Sequence, residues 1–169
     1  MRVTSGVHSD QMFMPAAAPS VAPMASDVLS PIAFFSSQYA RASDTFVRSE
    51  VAELRLQGFV IHTFSVRAPA EDELLNDSIR TERGATRDLL SAGMVNLLWA
   101  TMSEAFCRPA RFIRAAGMAI SISRPGMKGR LWPLAYLIEA CLLARWLRAR
   151  GVKHLHNPLG RNSAAVAML

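Results

Sequence analysis

Two short stretches of this chain carry side chains suited to binding a hydroxyl-rich ligand. The first is His156 and Asn157, followed by Gly160, Asn162 and Ser163. An imidazole ordinarily titrates close to neutral pH and can exchange protons, while carboxamide and hydroxyl groups both donate and accept hydrogen bonds. The second is Ser37, Gln38 and Tyr39, with Thr45 a few residues on. These groups would lie beside a helix N-terminus, whose unpaired N–H groups favour phosphate oxygens. Plainer explanations stand beside both: an ordinary capped turn for Ser37 to Thr45, and a strand-end histidine with its hydrogen bonds satisfied for His156. His62 and His154 fall inside strand patterns and read as structural. Glu50 and Glu53 read as the solvent face of a helix rather than as an acid/base pair. No glycine-rich dinucleotide or phosphate loop, serine-nucleophile motif or metal-ligand cluster occurs in the sequence. Cys107 and Cys141 each lie in an apolar helical stretch and read as buried, reduced thiols, so no disulfide, metal or other cofactor is expected.

The elements that must position these residues follow from pattern. Pro31-Ile-Ala-Phe-Phe-Ser-Ser is a short apolar run ending in small polar residues, as a buried strand does. Ser43 as N-cap and Asp44 in the first turn open a helix in which Val47, Val51 and Leu54 share one face. Gly58 closes it, in the place where a left-handed residue is needed. Phe59 to Val66 is then a second strand, apolar on both faces as in a helix-covered parallel sheet. Strand, helix and strand make a right-handed βαβ unit. A polar loop from Arg67 to Asp77 leads into helices over Arg83 to Cys107, Pro109 to Ser121 and Lys128 to Arg150. Val152 to His156 is a third strand, and a further helix opens at Gly160. The expected fold is α/β: a Rossmann-like parallel sheet with several long helices over residues 31–169, after a disordered Ala/Pro/Ser-rich tail at 1–30. Ligands in such sheets bind outside the carboxyl ends of the strands, which is where both polar stretches fall.

Charge narrows the class of partner. From Phe106 onward eleven Lys and Arg face Glu139 alone, whereas the first 105 residues carry eight against twelve Asp and Glu. A basic half attracts anionic partners: a membrane surface, a nucleic acid or a phosphorylated substrate. Trp132, Tyr136 and Trp146 sit among apolar helix positions rather than interleaved with the basic residues, which argues against nucleic acid. The apolar segment Leu131 to Leu147 is interrupted by Pro133, Glu139 and Arg145 and is too short to span a bilayer.

Four segments carry a resemblance. Ser36-Ser-Gln-Tyr-Ala-Arg-Ala-Ser-Asp-Thr-Phe-Val-Arg-Ser-Glu50 is similar to the strand-loop-helix opening of exopolysaccharide and colanic-acid glycosyltransferases, with Ala40 and Asp44 where that family has Pro and Glu. Gly58-Phe-Val-Ile-His-Thr-Phe-Ser-Val-Arg67 resembles its second strand. Pro125-Gly-Met-Lys-Gly-Arg-Leu-Trp132 matches a third segment, with Glu139-Ala and Leu143-Ala-Arg further along. His154-Leu-His-Asn-Pro-Leu-Gly-Arg-Asn-Ser-Ala-Ala-Val-Ala-Met-Leu169 resembles its His-Leu-His-Asn-His-Phe-Gly and Asn-Ser-Ala-Thr-Val-Ala-Met-Leu run, with Pro158 and Leu159 replacing His and Phe.

The resemblance implies the acceptor-side, N-terminal half of a two-Rossmann (GT-B), family-4-like hexosyltransferase. Such an enzyme moves sugar from a nucleotide-sugar to a polyprenyl-linked or saccharide acceptor, with retention favoured. Ser37, Gln38, Tyr39, Thr45, His156, Asn157, Gly160, Asn162 and Ser163 would then contact the acceptor, and the donor would sit on a second domain beyond Leu169. The expected setting is cytoplasmic, peripheral on the inner face of the plasma membrane, with the basic and apolar stretch Arg83 to Arg150 facing anionic lipid. Two alternatives stay open: an inactive fragment, and a basic module that binds a membrane or another subunit. The Pro158 and Leu159 departures bear on activity, because they remove one imidazole and one stacking ring from the acceptor loop.

Overall fold

The computed structural model describes residues 30–39, 45–70, 77–123, 127–159 and 162–169. The expected tail, the Ser43 cap with Asp44, and Gly160 lie outside the described residues. Four strands, β1 (Ile32–Ser36), β2 (Ile61–Ser65), β3 (Arg87–Asp88) and β4 (His154–His156), form a parallel sheet in the order β3-β2-β1-β4. Helices α1 (Thr45–Leu56), α2 (Asp77–Ala85), α3 (Met94–Cys107), α4 (Pro109–Ser121), α5 (Met127–Ala149) and α6 (Asn162–Met168) connect and cover it. The fold is the expected Rossmann-like α/β arrangement.

Period-two alternation in β1 divides the core. Ile32 and Phe34 point to one face, where Val47 and Val51 of α1 and Ile79 of α2 meet Ile61 and Tyr39. Ala33 and Phe35 point to the other, with Phe64, Leu97 and Ala100 of α3, Leu142 and Leu143 of α5, and Val166 of α6. With both faces covered, the central strand β1 is apolar up to its closing Ser36, as a parallel sheet between helix layers requires. Gly58 (φ +91°) and Gly151 (φ +65°) end α1 and α5 in the left-handed region that side chains with a Cβ adopt only with strain. Helix α4 lies on α3 and α5 rather than on the sheet.

One expectation fails in a way that matters. The helix expected over Arg83 to Cys107 is instead the end of α2, strand β3, a 3₁₀ turn at Leu90–Ala92, and α3. Gly93, at φ +84°, interrupts any continuous helix. The open edge of β2 takes up the freed backbone: Leu89 N–H donates to Ser65 O at 2.9 Å and Leu90 N–H to Val66 O at 3.0 Å. The strand costs the burial of Asp88, which Arg83 offsets with an ion pair at 2.6 Å while the Ser65 hydroxyl donates to the same carboxylate. The strand expected third in the chain, at Val152 to His156, is therefore the fourth, and covers His154–His156.

Three burial expectations are also corrected. Cys107 is exposed at the end of α3, although Cys141 is buried. His154 is exposed rather than interior, because β4 is an edge strand. Trp132 is 61% exposed rather than packed among apolar neighbours. No helix among the described residues is long and apolar enough to cross a membrane.

Candidate functional site

The chain leaves β1 toward β2 on one side of the sheet and returns much later to place β4 on the other side of β1. That reversal is a topological switch point, where loops from adjacent strand ends part and leave a crevice. Both polar stretches arrive there. Ser36 ends β1 and His156 ends β4, with Phe34 and His156 in register across the pair.

The two stretches are joined by hydrogen bonds. Ser163 N–H donates to Ser37 Oγ at 3.3 Å across 126 residues of sequence. The fully buried Ser163 hydroxyl lies 3.3 Å from both Asn157 Oδ1 and Leu159 O. Leu159 N–H donates to Asn157 Oδ1 at 3.2 Å, which fixes the orientation of that amide because a backbone N–H needs an acceptor opposite it. Asn157 Nδ2 is consequently shut away from solvent with no hydrogen-bond partner. A buried, unsatisfied donor costs about 1–3 kcal/mol, and a ligand oxygen would relieve it.

His156 stands beside this network. Its ring lies 4.8 Å from that of Phe34, and its Nε2 is 3.8 Å from Glu50 Oε1. Glu50 and Glu53 are on the exposed side of α1 as expected, but Glu50 also faces the imidazole, which sequence reasoning missed. The available signal was its position three residues after the buried Val47 and one before Val51, on the flank of the core-facing stripe.

The remaining site residues divide. Gln38 turns away and donates from Nε2 to Ala68 O at 3.3 Å. Tyr39 is a correction: its ring is 1% exposed within the core formed with α1 and α2, so it is not a surface contact of the loop. Its hydroxyl meets Glu82 Oε2 at 3.4 Å, and burial first, then the Glu82 charge, raises its pKa. Thr45 and Asn162 are exposed at the first positions of α1 and α6.

Beyond the crevice, a second polar network crosses the sheet between β2 and β3. Asp88, Arg83 and Ser65 form one part and the Thr63–Thr86 hydroxyl pair, at 2.9 Å, another. These groups satisfy one another and leave no free donor facing outward, which makes them structural. A cavity of about 230 Å³ lies between α4 and α5, lined by Phe112, Leu137, Cys141 and Arg111 among others. It shares no residue with the crevice, and its charged lining is Arg111 and the Arg148–Glu104 ion pair. No cluster of His, Cys, Asp or Glu among the described residues could hold a metal ion. Compared with known proteins, the chain matches no family model, no curated protein and no solved structure.

Proposed function

We propose that residues 31–169 are the acceptor-side domain of a glycosyltransferase that adds a sugar to a lipid-linked or saccharide acceptor in cell-surface polysaccharide synthesis. The observation that supports this most is the junction of the two polar loops at the switch point, Ser163 N–H to Ser37 Oγ. It gathers hydroxyl, carboxamide and imidazole groups in the crevice where α/β sheets take their ligands. The buried Asn157 amide donor has no partner among the described residues and would meet an acceptor oxygen once the loop opens toward the crevice. His156, with Glu50 beside it, is placed to accept a hydrogen bond from an acceptor hydroxyl. The nucleotide-sugar belongs to a donor-side domain that these residues do not include. Titration calorimetry with a short-chain polyprenyl-diphosphate sugar and with nucleotide-sugars tests this division. The acceptor should bind, His156→Ala and Asn157→Ala should each weaken it about tenfold, and nucleotide-sugars should not bind tightly. Tight nucleotide-sugar binding by this chain alone would contradict the assignment.

The same reading places the domain on the inner face of a membrane, where such acceptors reside. Helix α3 exposes Trp99 (63%) and Phe106 (77%), α4 exposes Ile113 and Ile120, and the start of α5 exposes Leu131 and Trp132. Arg108, Arg111 and Arg114 accompany them on an α4 that has no acidic residue, and the neighbouring Glu104 is already paired with Arg148. Apolar and aromatic side chains combined with arginines suit the headgroup region of an anionic bilayer, with each arginine near the surface worth about 1 kcal/mol. Flotation with phosphatidylglycerol vesicles should show binding that weakens with salt and falls in Trp99→Ser/Phe106→Ser; binding unchanged by salt and by these substitutions would reject this placement.

A further inference from the structure

Away from the crevice, at the β3 edge of the sheet, two arginines lie over one aromatic pair. Phe64 of β2 and Trp146 of α5 stack with centroids 6.0 Å apart and planes 27° from parallel. The Arg150 guanidinium lies 5.4 Å from the Phe64 centroid and that of Arg87 lies 6.0 Å from the Trp146 centroid. His62, two residues before Phe64 and on the same face of β2, has its ring 6.5 Å from that of Phe64. Arg150 is anchored further by Nη1 donating to Trp146 O at 3.2 Å.

The carboxylates that pair with arginines do so with others. Among the described residues, Arg83 takes Asp88, Arg55 takes Glu82 and Arg148 takes Glu104. Among the described residues, neither Arg87 nor Arg150 has a carboxylate within ion-pair distance. The cost of this arrangement is visible at both neighbours. Burial and then the charge of Arg87 lower the pKa of Arg150, and burial followed by Arg150, Arg87 and Arg55 lowers that of His62. Apart from the Arg150 Nη1 bond to Trp146 O, lying over an aromatic ring consumes none of the guanidinium N–H donors, and forked donors of this kind match the oxygens of a phosphoryl group. β3 is a two-residue edge strand, so Arg87 is open to solvent and a ligand has access.

We propose that Arg87 and Arg150, held over the Trp146–Phe64 stack with His62 beside them, form a binding site for a phosphoryl oxyanion, separate from the acceptor crevice. The site is independent of the glycosyltransferase reading. Charge balance makes the prediction directional: an anion between the arginines restores proton affinity to His62.

The test is the NMR titration of the His62 ring in the full chain, at constant ionic strength set with chloride, with and without inorganic phosphate. Phosphate should raise the His62 midpoint by about 0.5 to 1. Arg87→Gln or Arg150→Gln should weaken the phosphate dependence roughly tenfold, while Arg80→Gln, which removes an exposed arginine on α2, should leave it unchanged. A parallel arm uses phosphatidylglycerol vesicles: a response to free phosphate assigns a soluble phosphorylated ligand, and a response to vesicles alone assigns a lipid phosphate. A His62 midpoint that moves with neither overturns the proposal, and so does an equal loss in Arg80→Gln. The wild-type titration needs no variant to fold, so a poorly folding Arg150→Gln would not rescue the idea.

Discussion

Glu139 is the buried charge whose removal most directly tests the packing of the helical layer. It sits in the middle of α5, 9% exposed, with Oε2 lacking any hydrogen-bond partner, and burial pushes its pKa up from 4.5 to about 7. Tyr136, one turn before it, has its own pKa raised by burial and then by the Glu139 charge. Below pH 4.5 the folded and unfolded chains both hold the proton and the carboxyl exacts no penalty. Above about pH 7 both have lost it and the folded state bears the whole cost of a buried carboxylate. Stability therefore falls as pH rises between these limits. A tenfold difference in proton affinity is worth about 1.4 kcal/mol, which gives about 3 kcal/mol for the full displacement. Solvent screening at the rim of the site reduces this to about 2 kcal/mol. Glu139→Gln keeps the shape and cannot ionise. Urea unfolding followed by circular dichroism, on wild type and variant from pH 4.5 to 8, should show the variant gaining about 2 kcal/mol relative to wild type across that range. Any fixed cost of burying the amide shifts the difference equally at every pH, and the opposing contribution of His62 is present in both proteins and cancels. A stability difference that does not change with pH would refute the reasoning, because it would mean that Glu139 reaches solvent or a cation when ionised.

Asp88→Ala should destabilise the fold by about 3 kcal/mol, since it strands Arg83 and the Ser65 hydroxyl around a vacated, buried position; thermal unfolding measures it, and a loss below about 1 kcal/mol would mean that the ion pair is in effect a surface one. Gly58→Ala meets no steric obstacle but imposes a side chain at φ +91°, so about 1 kcal/mol should be lost for conformational reasons alone. In urea melts, an unchanged midpoint would show that the α1–β2 turn relaxes to a negative φ. Glu50→Gln should leave stability within about 0.5 kcal/mol of wild type, because its 3.8 Å approach to His156 joins two exposed side chains; a loss above about 1 kcal/mol in urea melts would show that the pair is shielded from solvent.

What the sequence made legible was what local chemistry decides. The bounds of α4 follow from Pro109 at its first position, the turns at Gly58 and Gly151 from their need for positive φ, and the two-faced burial of β1 from an uninterrupted apolar run. Strand β3 was not legible because Arg87 and Asp88 have no strand character of their own. They pair because β2 presents an open edge and because Arg83, four residues before Arg87, neutralises the buried carboxylate. The same limit applied at the candidate site. Both polar stretches could be seen at strand ends, but the 126-residue reach from Ser163 to Ser37 is a property of strand order. Tyr39 was read as a loop residue from its neighbours Ser37 and Gln38; its fate was decided by α2, which brings Glu82 to its hydroxyl and Ile79 to its ring.

Helix α3 carries this reasoning one step further. Its sequence, MVNLLWATMSEAFC, is apolar nearly all round, and a helix of that kind is ordinarily buried on every side. Here only Leu97 and Ala100 are buried, because α5 and the sheet occupy a narrow stripe, while Met94, Leu98, Met102 and Phe106 recur at four-residue spacing and are left exposed by the described residues. Propensity cannot account for such a face, since lysine or glutamate at the same positions would hold the helix equally well. Isolated exposed hydrophobic residues need no explanation, but four at helical spacing on α3, with Ile113 and Ile120 also exposed on the neighbouring α4, do. Under the membrane placement proposed above, that surface is the one that would meet lipid, and Arg111 and Arg114 on α4 would face its negative charge.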